Sequence, residues 1–367
     1  HMKDRDRLIL CTAEPAWVHI NTNAGKKRFA KLNFFIRDCI EQVVDAKGHA
    51  RNLNLVLLLS GDLHHYAHYQ PGNKKDYHNL ADHCITAGGG GAFLHPTHNL
   101  PDTLHFASSD TIHSTNPNRQ PHTNLIKGAS FPSAETSRNI CYRNLLFGWF
   151  NVPLTLLLTA TLFLCFLLTQ SWSIVRNAVN DITYSCFRNM QDHTLFNAWT
   201  DFMYSLLITP IACLMLVLFL VGVYTFRDKE QGVLWKNALL AVLHGLLHVL
   251  LGSLLMTSLV QFVFSSTLFT DANPAFYLMI TVGYLLLGYI LHALLFSSYL
   301  LFANLVLNCH DNEAFSHLAI ADYKNILKLK ISDTGKITVY PIGIKRVCKK
   351  WKHATTNQSA SRSNIEP

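Results

Sequence analysis

Hydrophobic positions along the chain follow two different rules. Up to about residue 98 they come in short runs or at helical spacing, whereas between 145 and 307 they fuse into long apolar stretches. Residues 7–12 (RLILCT) predict a short strand. Over 26–45 the apolar positions Phe29, Leu32, Phe35/Ile36, Ile40 and Val43/Val44 predict an amphipathic helix, with Gly48 as its stop. Residues 53–59 form a continuous apolar run that ends in Ser60 and Gly61, the mark of a strand buried on both faces. Polar residues 70–78 read as a mobile connection, and 84–87 as a further short strand. The order strand, helix, strand, strand is α/β, but only half a domain's worth.

Residues 99–144 are rich in Ser, Thr, Asn, Pro and His and show no period, so a long polar loop is expected there. Four apolar stretches follow at 145–170, 202–226, 235–264 and 275–307, each long enough to cross a bilayer as a helix. Pro153 and Pro210 are expected to cap or kink their spans. After the last span, 325–331 and 336–342 alternate in polarity around Ser332-Asp333-Thr334-Gly335, a hairpin signal. A lone hairpin is marginal in water, so it is expected to return to the N-terminal sheet. The expected organisation is therefore a half-domain at 1–98, a loop at 99–144 and a four-span bundle at 145–307. A returning segment at 308–352 and a disordered tail at 353–367 complete it.

Charge orients this arrangement. Arg138 and Arg143 precede the first span, Arg227, Lys229 and Lys236 lie between the second and third, and Lys324, Lys328 and Lys330 follow the fourth. The connection between spans three and four holds Asp271 and neither Lys nor Arg. The positive-inside rule then places both termini and the soluble parts in the cytoplasm, on an inner or plasma membrane. The net charge of +8 comes without basic residues clustered with aromatic stacking residues in a groove-like pattern, which argues against nucleic acid and for a membrane-facing surface. Nine cysteines, odd in number and widely spaced, argue against a disulfide framework and for a reducing compartment. Residues 1–7 are charged and lead into no apolar signal region, so the chain is expected to start inside a domain.

Four groups of residues carry chemistry. Asp62, His64, His65 and His68 follow the buried run, where open α/β sheets present ligands, and suit a metal as well as an exposed turn. Gly88–Gly91, with His95 and His98, suit a phosphate contact through Gly89 and Gly90, or a plain flexible connection. His244 and His248 share one face of the third apolar stretch, and His292 lies on the fourth; haem or metal binding, proton relay and interhelical hydrogen bonding are the readings. His310-Asp311-Asn312-Glu313 reads as a helix cap or a metal contact.

Taken together, Gly61-Asp62-Leu63-His64-His65-Tyr66, the block at 88–98, the four spans and the tail from Asn312 to Ile344 resemble membrane-bound, calcineurin-like metallophosphoesterases, C-terminal portion only. The resemblance implies an αββα sandwich, here a partial one with an inserted transmembrane bundle, and a divalent metal pair (Mn, Fe or Zn) that hydrolyses phosphate esters. It places Asp62 and His64 at the last metal-binding block, with Asp62 replacing the first histidine. It also places Ala13 at the lone-histidine block, with Glu14 beside it as a substitute. The first three blocks are absent from the sequence, so the resemblance implies an incomplete centre, finished by a missing N-terminal segment or a partner chain. The phosphate-ester contacts it implies are His65, Gly89, Gly90, His95 and His98. The alternative is a non-catalytic membrane anchor or sensor whose intramembrane histidines His244, His248 and His292 bind haem or metal.

Overall fold

A computed structural model describes residues 2–21, 23–45, 47–49, 51–72, 81–105, 124–179, 193–229, 231, 233–265 and 274–350. The expected disordered tail, the connection containing Asp271, most of the 70–78 connection and 106–123 of the expected 99–144 loop lie outside these residues. The chain divides into two compact units: unit 1 comprises 1–140 and 319–367, and unit 2 comprises 141–318.

Unit 1 is built on a mixed six-stranded sheet of order β1-β2-β4-β3-β6-β5. Its strands are β1 (Arg7–Thr12), β2 (Asn54–Ser60), β3 (Tyr66–Pro71), β4 (His83–Ala87), β5 (Thr103–His105) and β6 (Asn124–Phe131). β1, β2 and β4 run parallel, while β3 is antiparallel to both β4 and β6. The apolar run of β2 makes sense in this setting because both of its faces are covered. Leu58 packs with Trp17, Phe29, Ile36 and Tyr69 on the side of helix α1 (Asn23–Ile36). Leu57 packs on the other face with Leu327, Ile337 and Val339.

Those last three residues belong to the tail hairpin, β7 (Lys324–Ile331) and β8 (Ile337–Ile344). Gly335 closes its turn at φ +74°, a left-handed conformation that a side chain would strain. Unit 1 thus has a helix on one face of the sheet and a hairpin on the other.

Two expectations need correction here. The 99–144 stretch is not one loop, for it contains β5, β6 and α2 (Ala134–Cys141). Along β6 Leu125 alone is buried, so no alternation marks the strand in the sequence. The first helix ends earlier than expected: α1 stops at Ile36 and passes into a π-helical turn, Arg37–Glu41, that still carries Ile40 into the core.

Unit 2 is helical: α3 (Phe147–Phe150), α4 (Val152–Val179), α5 (Leu195–Ile208), α6 (Pro210–Thr225), α7 (Leu234–Ser265), α8 (Pro274–Leu305) and α9 (Asp311–Ser316). Three helices are long and apolar enough to cross a membrane, or four spans result if α5 and α6 count as one. The expected second span, 202–226, is not a straight helix, because α5 and α6 meet at 92°. Pro210 opens α6, and Thr209 before it is extended (ψ 106°), the conformation a residue preceding proline prefers. Pro153 sits in the first turn of α4, where its missing N–H costs nothing.

Outward-facing Leu157, Leu218 and Leu286 are each more than 60% exposed, while Phe166, Phe202, Met256, Phe276 and Tyr284 fill the interior. An apolar exterior of this kind suits lipid.

Candidate functional site

In unit 1 the parallel strands β1 and β2 end side by side. The carbonyl of Ala13 accepts the N–H groups of Gly61 (3.2 Å) and Asp62 (2.9 Å), so the two suspected metal blocks adjoin. Their side chains do not converge. Glu14 Oε1 is held by Arg28 Nη1 at 2.8 Å, and Asp62 is exposed on its turn. Among the described residues, Asp228, His310 and Glu313 form the one group of three His, Cys, Asp or Glu side chains with ligand atoms within 4.8 Å of one another. Glu14, Asp62 and His64 therefore do not fit a metal pair by themselves.

His64 is nevertheless held in a definite way. Its Nδ1 lies 2.9 Å from the carbonyl oxygen of Phe93, which can only accept, so Nδ1 carries the proton and Nε2 keeps the lone pair. The His64 N–H donates to His95 Nδ1 at 2.8 Å, and the two rings lie 4.5 Å apart. A Cβ on Gly91 would sit 2.2 Å from the His64 ring. The glycine run is accordingly a packed turn: the Gly88 N–H bonds to His65, the Gly91 N–H to Gly88, and Gly89 abuts Asn325. Only Gly90 opens onto free space, which leaves little of the expected phosphate cradle. His98 Nδ1 bonds to Ser137 Oγ at 2.8 Å.

His65 is not a surface contact but a core residue, 1% exposed, with both ring nitrogens buried and without a hydrogen-bond partner among the described residues. Burial pushes its pKa down to about 3, with the nearby His95 adding to the shift. His68 bonds to His83 (3.0 Å), and burial lowers it to about 4.

This pair sets an acid limit for unit 1. Below the ordinary value of 6.5 the unfolded chain protonates both histidines, whereas the folded chain resists until about 4 and about 3. Stability should therefore be full above 6.5 and fall as the pH drops through that window. The slope approaches 1.4 kcal/mol per pH unit for fully buried His65, with a smaller share from part-exposed His68. Urea unfolding between pH 7.5 and 4.5 measures it, and a slope that His65→Phe leaves unchanged removes His65 as the cause.

In unit 2 the three histidines of the long apolar helices come together. His248 Nδ1 lies 2.8 Å from His292 Nδ1, and His248 Nε2 lies 2.9 Å from His244 Nε2. His292 Nε2 faces the Tyr284 hydroxyl at 3.4 Å. A Cβ on Gly252 would stand 2.9 Å from that hydroxyl, so the glycine makes room for it. Both nitrogens of His248 are engaged by other histidines, while His244 Nδ1 is buried with no hydrogen-bond partner among the described residues. The His248–His292 contact joins α7 to α8, and the His244–His248 contact lies within α7.

Above it, the His244 ring stacks on Tyr299 (centroids 4.1 Å apart), and Tyr299 Oη lies 2.7 Å from His310 Nε2. His310 precedes α9 at φ +61° and donates its N–H to Asp228 Oδ2 at 2.7 Å. The Gln231 N–H donates to Asp228 Oδ1 at 2.9 Å. Asp228, Tyr284 and Tyr299 were not signalled by the sequence; Asp228 stands between Arg227 and Lys229 in a connection that reads only as an orienting charge cluster.

No family model, curated protein or solved structure matches this chain.

Proposed function

We propose that this chain is part of a membrane-bound, calcineurin-like metallophosphoesterase, and that its metal centre is completed by ligands its own residues do not bring together. The observation that carries the reading is His64, set just past the carboxyl end of β2 with Nδ1 tied to the Phe93 carbonyl and Nε2 left to coordinate. Packing of the tail hairpin on the same sheet supports it further, since that tail was among the segments that suggested the family. In this reading unit 1 supplies His64 to a Mn, Fe or Zn pair. A separate segment or partner chain supplies the remaining ligands, and the apolar helices hold the assembly in the membrane. The substrate class is a phosphate ester.

The test is complementation. The purified chain with added Mn or Zn should turn over an aryl phosphate poorly. Co-expression with a segment carrying Asp-x-His and Gly-Asn-His blocks should raise turnover, and His64→Ala should remove the gain. Robust turnover by the chain alone that His64→Ala abolishes overturns the incomplete-centre reading. No gain on complementation, or a gain indifferent to His64, overturns the phosphoesterase reading itself.

A further inference from the structure

Asp228, His310 and Glu313 lie outside the membrane-length helices, in the α6–α7 connection and just after α8. One ligand atom from each comes within 4.8 Å of the others. Acidic groups gather on surfaces without binding anything, so the group alone decides nothing. The deciding side chain is His310. It is 1% exposed, and its Nδ1 is buried with no hydrogen-bond partner.

That Nδ1 faces Glu313 Oε2 at 3.4 Å, beyond the usual 2.7–3.2 Å or so of an N–H···O bond. Two ligands each about 2.0–2.1 Å from a tetrahedral zinc ion stand about 3.4 Å apart. The spacing is long for a hydrogen bond and matches both a direct ion pair and a shared cation.

The surroundings suit the same ion. His310 Nε2 sits between Tyr299 Oη at 2.7 Å and the Asp228 N–H, which donates toward it from 3.3 Å; once a cation takes the place of the Nδ1 proton, Nε2 carries the proton and Tyr299 Oη can accept it. The Phe226 ring, 5.3 Å away and nearly parallel, holds the imidazole in plane. The His310 and Gln231 N–H groups each bond one oxygen of Asp228 and so hold its carboxylate in place beside His310. A cleft of about 410 Å³ borders Asp228 and Glu313, giving an ion an entry path and a fourth position for water.

We propose that Asp228, His310 and Glu313 form a zinc site at the end of the helix bundle, with one coordination position open to the cleft. It is independent of the phosphoesterase reading, because no residue of unit 1 takes part.

Zn²⁺ titration of the whole chain in detergent, followed by calorimetry, tests the proposal, with Co²⁺ as a spectroscopic stand-in. Glu313→Gln is the primary variant because that side chain is 39% exposed and its loss leaves the packing intact. Asp228→Asn is the second, since its amide oxygen can still accept the His310 N–H. The expected result is one fewer bound Zn²⁺ per chain, or at least tenfold weaker binding at one site, in either variant. The visible absorption of four-coordinate Co²⁺ should fall in parallel, and Glu313→Asp should retain part of it. Stoichiometry, affinity and Co²⁺ absorption unchanged in both folded variants overturn the assignment and leave an ion pair between His310 and Glu313.

Discussion

His248→Leu should lower the stability of unit 2 by about 2–5 kcal/mol, read as an earlier unfolding midpoint in detergent. The two lost hydrogen bonds do not account for that figure, since an interhelical bond within a membrane averages only about 0.6 kcal/mol. Most of the cost falls on the groups left behind. His244 Nε2 and His292 Nδ1 both lose their partner while staying buried. A stranded buried polar group costs about 1–3 kcal/mol. The same reasoning makes a second prediction from the one site: replacing all three histidines with leucine should cost less than replacing His248 alone, because no imidazole is then left stranded and only the long 3.4 Å contact of the Tyr284 hydroxyl is lost. A single variant within 0.5 kcal/mol or so of the parent, or a triple variant worse than the single, would show that packing rather than polar pairing governs the site.

Gly88→Ala should be as damaging to unit 1. An added Cβ would lie 2.2 Å from the carbonyl oxygens of both Gly61 and Leu63. These are backbone atoms, so no side chain can rotate out of the way, and the turn carrying Asp62 and His64 must move off the end of β4. Overpacking of this kind costs about 1–3 kcal/mol when side chains absorb it, and more when the backbone must; about 3 kcal/mol or more is expected. Gly90→Ala is the internal control, because nothing lies within 4 Å of its added Cβ. Paired urea unfolding of the two variants is the measurement. Equal midpoints would mean the two strand ends are not in the close contact described.

Much of the fold was legible where burial is one-sided or complete. β1 and β2 were readable because their apolar runs meet covered faces, and the tail hairpin because Leu327, Ile337 and Val339 alternate toward the sheet. β3 was hidden by His68 within it and by His64 and His65 just before it, which read as a site rather than as strand positions. β6 was hidden because only Leu125 of its residues is buried, which leaves no periodic trace. The 92° break between α5 and α6 was masked by uniform hydropathy; proline marks a possible bend, but not its angle.

The sites follow the same division. The spacing of His244 and His248 is local and could be read, whereas their union with His292 depends on how two helices face each other. Asp228 and His310 meet across 82 positions of sequence, with no local pattern to announce it. Histidine count was a poor guide: His65 looked like a ligand and is core.

The row of imidazoles between α7 and α8 has one more consequence. A neutral imidazole owns one proton and two nitrogens, and His248 must answer a neighbour at each of its two. If it donates toward His292 it must receive from His244, and if it donates toward His244 it must receive from His292. The tautomers of the three rings are therefore not independent: they point one way together or the other way together. Rewriting one rewrites all, so selective ¹⁵N labelling of the histidines should reveal them changing state as a single unit.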